Sequence, residues 1–197
     1  LHNMWVYRSG FMYPERQIIL YEYQKTRKKE HAREFLKGFS GICVTDGYQV
    51  YHSIADERED LTIAGCWSHA RRGFADVVKA AGKKDVGIRQ SVAYKSLQLI
   101  QTMSRYEEKL AKMGPAERLE ARIHYVLPLA DAFFAYLKSK EGSVAPKSAT
   151  GKAIRYCLNQ ERFLRVFLTD GYVPMTNNAA ERSIRPFTVG RNNWFQI

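Results

Sequence analysis

The sequence predicts an α/β fold that carries a helical insertion. Short apolar runs alternate with helical patterns over residues 1–85, which is typical of a sheet flanked by helices. Residues 86–160 show helical patterns without strands, and residues 161–197 end in a further helix. Hydrophobic residues fill 45% of the 197 positions, enough for one substantial core. We therefore expect an α/β core from residues 1–85 and 161–197, with residues 86–160 inserted before the final helix.

The first predicted elements are a hairpin and a helix. Met4–Arg8 and Gln17–Tyr23 are rich in aromatic and aliphatic residues, and we expect them to pair as antiparallel strands joined by a longer loop. Lys28–Phe39 has apolar residues at three- and four-residue spacings, which predicts a helix. The basic run Lys25–Lys29 is interpreted as a solvated connection.

Two buried strands follow. Ile42–Thr45 is apolar and too short for a helix, and Leu61–Trp67 repeats this pattern before a helix over about 68–81. Asp46 stands at the end of the first of these strands and is followed by Gly47. Open α/β sheets place functional residues at the carboxyl ends of strands, but Asp-Gly pairs also form ordinary turns. Both interpretations of Asp46 stay open at this point.

The second half of the sequence is helical in character. Ser91–Met113 is a long helical stretch, and Pro115 suits the first turn of the next helix. Leu127–Leu137 is apolar enough to be buried, Gly142–Gly151 reads as a loop, and Ala153–Leu168 resumes the helical pattern.

The net charge of +11 and the pI of about 9.6 favour a polyanionic partner. No apolar run approaches the roughly 20 residues that span a bilayer, so nucleic acid is a better candidate than a membrane. A basic protein without such a partner remains the simpler alternative.

The cysteines and the first residue bear on the origin of the chain. Cys43, Cys66 and Cys157 are odd in number and widely spaced, which fits free thiols in a reducing cytoplasm. No secretory signal is present. The chain starts at Leu1 and enters a strand pattern at once, so we expect it to be a fragment.

A dense polar motif lies near the C-terminus. Asn177 and Asn178 precede a short alanine run, which indicates a helix start capped by asparagine side chains. Glu181 then lies one turn into the helix, and Pro186 is expected to end it. Glu181 alone could fold back as a capping box or pair with Arg185 four residues on.

Three blocks together carry a family resemblance. They are Gly41–Tyr48 (GICVTDGY), Gly65–Arg72 (GCWSHARR), and Asn177–Pro186 (NNAAERSIRP) followed by Gly190–Trp194 (GRNNW). In this order they resemble the bacterial transposases of the insertion sequence 66 family. The resemblance implies an RNase H-like mixed sheet flanked by helices, with an Asp-Asp-Glu metal site. It implies that Asp46 is the second acid of that site and Glu181 the third.

The resemblance also implies the chemistry and the partners. Phosphodiester transfer needs hard cations held by carboxylate oxygens, so Mg²⁺ or Mn²⁺ is expected, as a two-metal site in the complete protein. The DNA substrates would be transposon ends and target, cleaved by water and then joined through a 3′-hydroxyl. A homo-oligomer is expected in the active complex. Recognition of specific transposon ends is expected of N-terminal regions outside this chain.

The first acid of the implied site has no counterpart here. No Asp occurs before Asp46, and Glu15 and Glu22 lie in no matching motif. We therefore expect the first strand of the fold to be missing and the chain alone to bind metal weakly and catalyse poorly. The missing strand belongs between the hairpin and the Asp46 strand, so a gap there should be filled by rearrangement or by another chain.

Other residues around the implied site have predicted roles. Cys66 and His69 have zinc-ligand spacing but lack a second pair, so packing beside the site is expected. Arg71 and Arg72 either meet phosphates or form a solvated basic face. Thr176 stands where relatives often carry an acid. Trp194 is expected to be buried rather than stacked on a base. Contacts to the DNA backbone are expected from Arg182, Arg185, Arg191, Asn192 and Asn193.

Two rival functions remain. A nuclease of the same fold would cleave DNA with metal but not join it. A non-catalytic DNA-binding or assembly module would bind DNA in a salt-sensitive way without either carboxylate.

Overall fold

The computed structural model describes residues 3–10, 17–82 and 85–194, with the backbone alone for residues 86, 188 and 190–194. The first half contains β1 (Asn3–Arg8), β2 (Ile19–Gln24), α1 (Lys29–Phe35), β3 (Gly41–Thr45), α2 (Gln49–Ala55), β4 (Leu61–Gly65) and α3 (Trp67–Ala81). The α-helices of the second half are α4 (Val92–Leu110), α5 (Pro115–Ala121), α6 (Leu127–Lys140), α7 (Ala149–Asn159), α8 (Glu161–Leu164) and α9 (Asn178–Trp194). The alternation of strands and helices agrees with the predicted α/β class.

In the described part of the chain the strands form two separate two-stranded ladders, one antiparallel and one parallel, and not a continuous mixed sheet. β1 and β2 pair antiparallel, with Asn3 opposite Gln24. β3 and β4 pair in parallel, with Gly41 beside Leu61. Each ladder has only two strands because β1 and β3 do not reach one another. The gap lies where the sequence predicted a missing strand, and these residues do not rearrange to fill it.

The parallel ladder needs a crossover, and the sequence reading missed the helix that provides it. Parallel neighbours cannot be joined by a tight turn. The chain crosses through α2, whose buried positions are His52 and Ile54. Seven residues span only two turns and give little periodic signal, so this helix was not predicted.

Several predicted boundaries also move. The helix predicted over Lys28–Phe39 ends at Phe35. Trp67 opens α3 instead of ending the strand before it, and the helix predicted over Ala153–Leu168 breaks at Gln160. Pro186 does not stop the last helix, which continues to Trp194. A proline removes one backbone hydrogen bond, and a helix whose flanking turns persist is more often kinked than ended by it.

Two hydrophobic clusters hold these elements together. The larger one joins α3, α4, α6 and α7 around Trp67, Phe74 and Phe133. The smaller one packs α1 and α2 against β1 and β4 through Trp5, Leu36 and Ile63. The helical block therefore shares its main core with α3 of the α/β part. In the described ranges, no helix combines the length and apolarity needed to cross a bilayer.

Two buried arginines fasten the helical block internally. Arg118 is 1% exposed and Arg122 is fully buried. Arg122 forms a two-pronged ion pair with Glu107, at 2.8 and 2.7 Å, and also donates to the carbonyl oxygens of Phe167 and Asp170. It starts a single π-helical turn, Arg122–Val126, between α5 and α6. The guanidinium thus ties the block to the segment that leads into α9.

Candidate active-site cleft

Asp46 leaves β3 at its carboxyl end. Gly47 follows with φ of +83°, a conformation that favours glycine and allows the sharp turn. Oδ1 of Asp46 accepts a hydrogen bond from the N–H of Tyr48 at 3.0 Å. One carboxylate oxygen therefore closes the turn, as the simpler interpretation of Asp-Gly predicted. Within the described part of the chain the other oxygen accepts no hydrogen bond.

Cys66 is the neighbour of Asp46 on the adjacent strand. Because β3 and β4 are parallel and in register, both residues leave the ladder at its carboxyl end. The buried sulfur of Cys66 accepts a hydrogen bond from the N–H of Asn177 at 3.4 Å. Burial raises the pKa of the Cys66 thiol, backbone N–H groups oppose the rise, and the nearby Glu181 carboxylate adds to it.

Glu181 lies in the first turn of α9, against the start of α3. Its N–H donates to the carbonyl oxygen of Asn177 at 3.1 Å. Its Oε1 lies 3.6 Å from Nε2 of His69, and the N–H of Trp67 donates to the carbonyl oxygen of Met175 at 3.1 Å. These contacts join the beginnings of the two helices. They place Glu181 beside the carboxyl end of the parallel ladder, where Asp46 follows β3.

The helical block also contacts this end of the parallel ladder, through Tyr156 of α7. The Tyr156 hydroxyl donates to the carbonyl oxygen of Asp46 at 3.5 Å. A Cβ added to Gly47 would lie 2.9 Å from the same hydroxyl oxygen. The pKa of Tyr156 rises to about 12, chiefly through burial; nearby thiols and Asp46 add to the rise, and Arg72 opposes it. The turn that carries Asp46 is therefore packed from the insertion side.

A cleft of about 1800 Å³ opens between the unpaired edges of β1 and β3. Its lining includes both Asp46 and Glu181. It also includes Trp5 and Thr45, whose Nε1 and Oγ1 atoms are buried without a hydrogen-bond partner among the described residues.

The predicted site residues fall into three groups. Asp46, Glu181 and Arg182 line the cleft together with Asn177 and Asn178. A second group is not part of the cleft lining: Cys66 immediately precedes α3, α3 carries His69, Arg71 and Arg72, and α9 carries Arg185. The side chains of Arg191, Asn192, Asn193 and Trp194 lie outside the described residues, so their predicted roles stay predictions.

The prediction that asparagine side chains cap the start of α9 is wrong for Asn177. Asn177 immediately precedes α9, but its Oδ1 is buried and accepts no hydrogen bond within the described residues. The connection at this helix start runs instead through the backbone of Asn177, whose N–H meets Cys66 and whose carbonyl oxygen meets Glu181.

Sequence reasoning missed the residues that hold α9 against the hairpin. Nη1 of Arg8 donates to the carbonyl oxygen of Ala179 at 3.2 Å and to Oγ of Ser183 at 3.3 Å. The hydroxyl of Tyr21 donates to the carbonyl oxygen of Ser183 at 2.9 Å. These contacts bracket Glu181 in sequence. No local signal identifies them, because the partners are more than 160 residues apart (183 − 21 = 162).

Arg27 is a second residue that the sequence reading set aside. It belongs to the basic run interpreted as a solvated connection, but it lines the cleft. Its Cζ lies 4.8 Å from the ring centroid of Tyr48, and the Tyr48 hydroxyl donates to the Arg27 carbonyl oxygen at 3.0 Å. Tyr48 therefore contacts both Arg27 and the candidate acid Asp46, and so links a cation to that acid.

The donor set fits a divalent cation in part. Asp46 and Glu181 offer the carboxylate oxygens that Mg²⁺ and Mn²⁺ prefer. Among the described residues, no group of three or more His, Cys, Asp or Glu side chains is arranged to hold a metal.

The sequence model of the family described as "Transposase IS66 family" matches residues 1–197. The chain belongs to this family, and the resemblance drawn from the three sequence blocks is confirmed. No solved structure matches the chain.

Similar curated proteins come from Sinorhizobium fredii (strain NBRC 101917 / NGR234), and their printed names give no activity. "Uncharacterized protein y4qI" is 33% identical over 182 residues, covering 89% of this chain and 32% of its own length. "Uncharacterized protein y4hP" is 32% identical over 89% of this chain and 33% of its own length. This chain thus spans about a third of the length of the curated relatives it matches.

Proposed function

We propose that this chain is the catalytic portion of a DNA transposase that cleaves and joins DNA strands with divalent metal. One observation carries the proposal. Asp46 and Glu181, which are 135 residues apart (181 − 46), line the same cleft of a protein that belongs to a transposase family. The contacts from Cys66 to Asn177 and from His69 to Glu181 supply the connection between them.

Asp46 and Glu181 are the residues that would hold the metal. When bound, Mg²⁺ or Mn²⁺ activates water for cleavage and stabilises the attacking and leaving oxygens of an in-line displacement. The chain itself contributes the orientation of both carboxylates. Asp46 is fixed by the hydrogen bond from Tyr48, and Glu181 by the contacts of α9 with α3 and β1.

We further propose an RNase H-like core in which an added strand completes the sheet. The unpaired edges of β1 and β3 face a common cleft, which supports a sheet order of β2, β1, added strand, β3, β4. That strand would bring the first acid. Until it is present, two carboxylates give weak metal binding and poor catalysis. In the same proposal, residues 86–160 form the insertion, and the active complex is a cytoplasmic homo-oligomer on DNA.

The test uses a protein of the relatives' full length that contains this chain, supplied with pre-cleaved transposon ends, target DNA and Mg²⁺. Asp46→Asn and Glu181→Gln should each reduce joining by more than about 100-fold, because losing only an outer-shell partner of a metal already costs 10–100-fold. DNA binding should survive in both variants. Glu141→Gln, an exposed acid outside the cleft lining, is the matched control.

Two outcomes would contradict the proposal. Metal-dependent cleavage without joined product would assign the nuclease function instead. Salt-sensitive DNA binding without any metal-dependent chemistry, unaffected by either substitution, would assign a non-catalytic assembly module.

A further inference from the structure

The loop between β2 and α1 carries three cations, and one of them, Arg27, lines the cleft. Lys25, Arg27 and Lys28 are exposed, and within the described part of the chain none of them forms an ion pair. The neighbouring cations differ, because Lys29 and Arg33 both pair with Glu57. The charge of this loop is therefore available to an external anion, whereas the charge of α1 is largely compensated.

Arg27 is also held in a fixed direction, which distinguishes it from a solvated surface arginine. Tyr48 contacts the loop in two ways. Its ring centroid lies 4.8 Å from the guanidinium carbon of Arg27, and its hydroxyl donates to the Arg27 carbonyl oxygen. A guanidinium that lies on an aromatic face keeps its charge and its outward N–H groups. An arginine that moves freely loses side-chain entropy when it binds a ligand. Because the ring already restricts Arg27, this loss on binding is smaller.

The same tyrosine connects Arg27 to the candidate acid. The N–H of Tyr48 donates to Asp46, so a single residue positions both groups. Both groups also act on Tyr51: burial raises the pKa of this tyrosine most strongly, Asp46 adds to the rise and Arg27 opposes it. Arg27 nevertheless forms no ion pair with Asp46 within the described residues, so each group remains available to a different part of one ligand.

We infer that Arg27 binds a DNA phosphate at the rim of the cleft, close to the strand that Asp46 acts on, with Lys25 and Lys28 adding to the attraction. This inference rests on the proposed function, because it takes DNA as the ligand at the end of the cleft where Asp46 leaves β3, beside the space that the added strand would fill. Among the described residues, the other cationic side chains that line the cleft, Arg8 and Arg182, belong to β1 and α9. DNA bound at that end would then be contacted from the Asp46 side by the loop and from the Glu181 side by α9.

The experiment measures affinity for a duplex DNA by fluorescence anisotropy over a series of salt concentrations. Arg27→Ala should weaken binding several-fold and equally for unrelated sequences, and should lower the slope of log affinity against log salt by about one. Arg27→Lys keeps the charge but loses the planar stacked group, so it should keep the slope and recover part of the affinity.

Lys109→Ala is the matched control. Lys109 also lies over a tyrosine ring, 5.5 Å from Tyr106, but it is in the helical block and does not line the cleft. Its loss should leave the salt slope nearly unchanged. Equal slopes for Arg27→Ala and Lys109→Ala would overturn the inference while leaving the proposed function intact. Absence of salt-dependent DNA binding by the unaltered protein would overturn the proposed function and this inference with it.

Discussion

At the scale of single residues, the turn after β3 shows how a glycine and a distant tyrosine fix one carboxylate. Gly47 supplies the positive φ, and Tyr156 of the helical block packs against it. The Asp46 side chain then closes the turn onto Tyr48. The direction of the candidate acid thus depends on local backbone chemistry and also on a contact 110 residues away.

Gly47→Ala should therefore destabilise the protein by about 1–3 kcal/mol. An L residue in the left-handed region costs about 1–2 kcal/mol, and the new methyl group would meet the Tyr156 hydroxyl. Unfolding in urea measures the loss. The control is the same substitution made in Tyr156→Phe, where the new methyl group no longer meets a hydroxyl oxygen. Gly47→Ala should cost less in that background, and an unchanged cost would contradict the contact.

At the scale of elements, the helical block is fastened by charge in a place where apolar packing would have sufficed. Arg122 is fully buried and reaches both Glu107 on α4 and the carbonyl oxygens near α9. A buried pair of this kind contributes modestly as a whole, but the loss of one partner leaves an uncompensated charge. The segment before α9, and hence Glu181, depends on this connection.

Arg122→Met should cost about 3–5 kcal/mol in the free energy of unfolding, because Glu107, whose side chain is only 15% exposed, is left without its partner. Adding Glu107→Gln should recover part of this loss, and the two substitutions together should cost less than their sum. Lys37→Met removes an exposed pair with Glu34 and should cost less than about 1 kcal/mol. Additive losses for Arg122 and Glu107 would show that the pair does not act as a unit.

At the scale of the whole molecule, three buried or half-buried thiols couple stability to alkaline pH. Burial raises the pKa of Cys43 to about 11 and raises the pKa of Cys66 and Cys157. In the unfolded chain a thiol titrates near pH ~8.5. Their contribution is therefore complete below that pH and is lost as the pH rises toward the folded pKa values.

The free energy of unfolding should therefore fall between about pH 8 and pH 9.5, since the unfolded chain releases thiol protons that the folded chain retains. Cys157→Ala should be less stable at pH 7 because it leaves a small cavity in the core, but its stability should fall less steeply with pH. Urea unfolding at several pH values measures both effects. Identical slopes for the variant and the unaltered protein would contradict the assigned cause.

Much of the fold was predictable because its signals are local. The apolar run before Asp46 and the helical spacing in α3, α4 and α6 identified those elements. The helix α2 was not predicted, because seven residues with two buried positions give almost no periodicity. The extent of α9 escaped because a proline inside a helix and a proline after its end look alike in sequence.

The candidate site divides in the same way. The motifs around Asp46 and Glu181 identified the two acids, since each lies in a block of characteristic residues. The position of Arg27 over the Tyr48 ring was not predicted, because a run of Lys and Arg looks the same in sequence whether or not one member lies over a ring. Arg8 and Tyr21 were not noticed, because their partners on α9 lie far along the chain.

The sequence by itself determined the family, the basic character, most of the elements and the two candidate acids, because these follow from neighbouring residues and from composition. Only the tertiary structure decided that both acids line one cleft, that this cleft opens between two unpaired strand edges, and that Arg27 lies at its rim. The physical reason is that contacts between distant segments depend on the packing of whole elements, which no local pattern encodes.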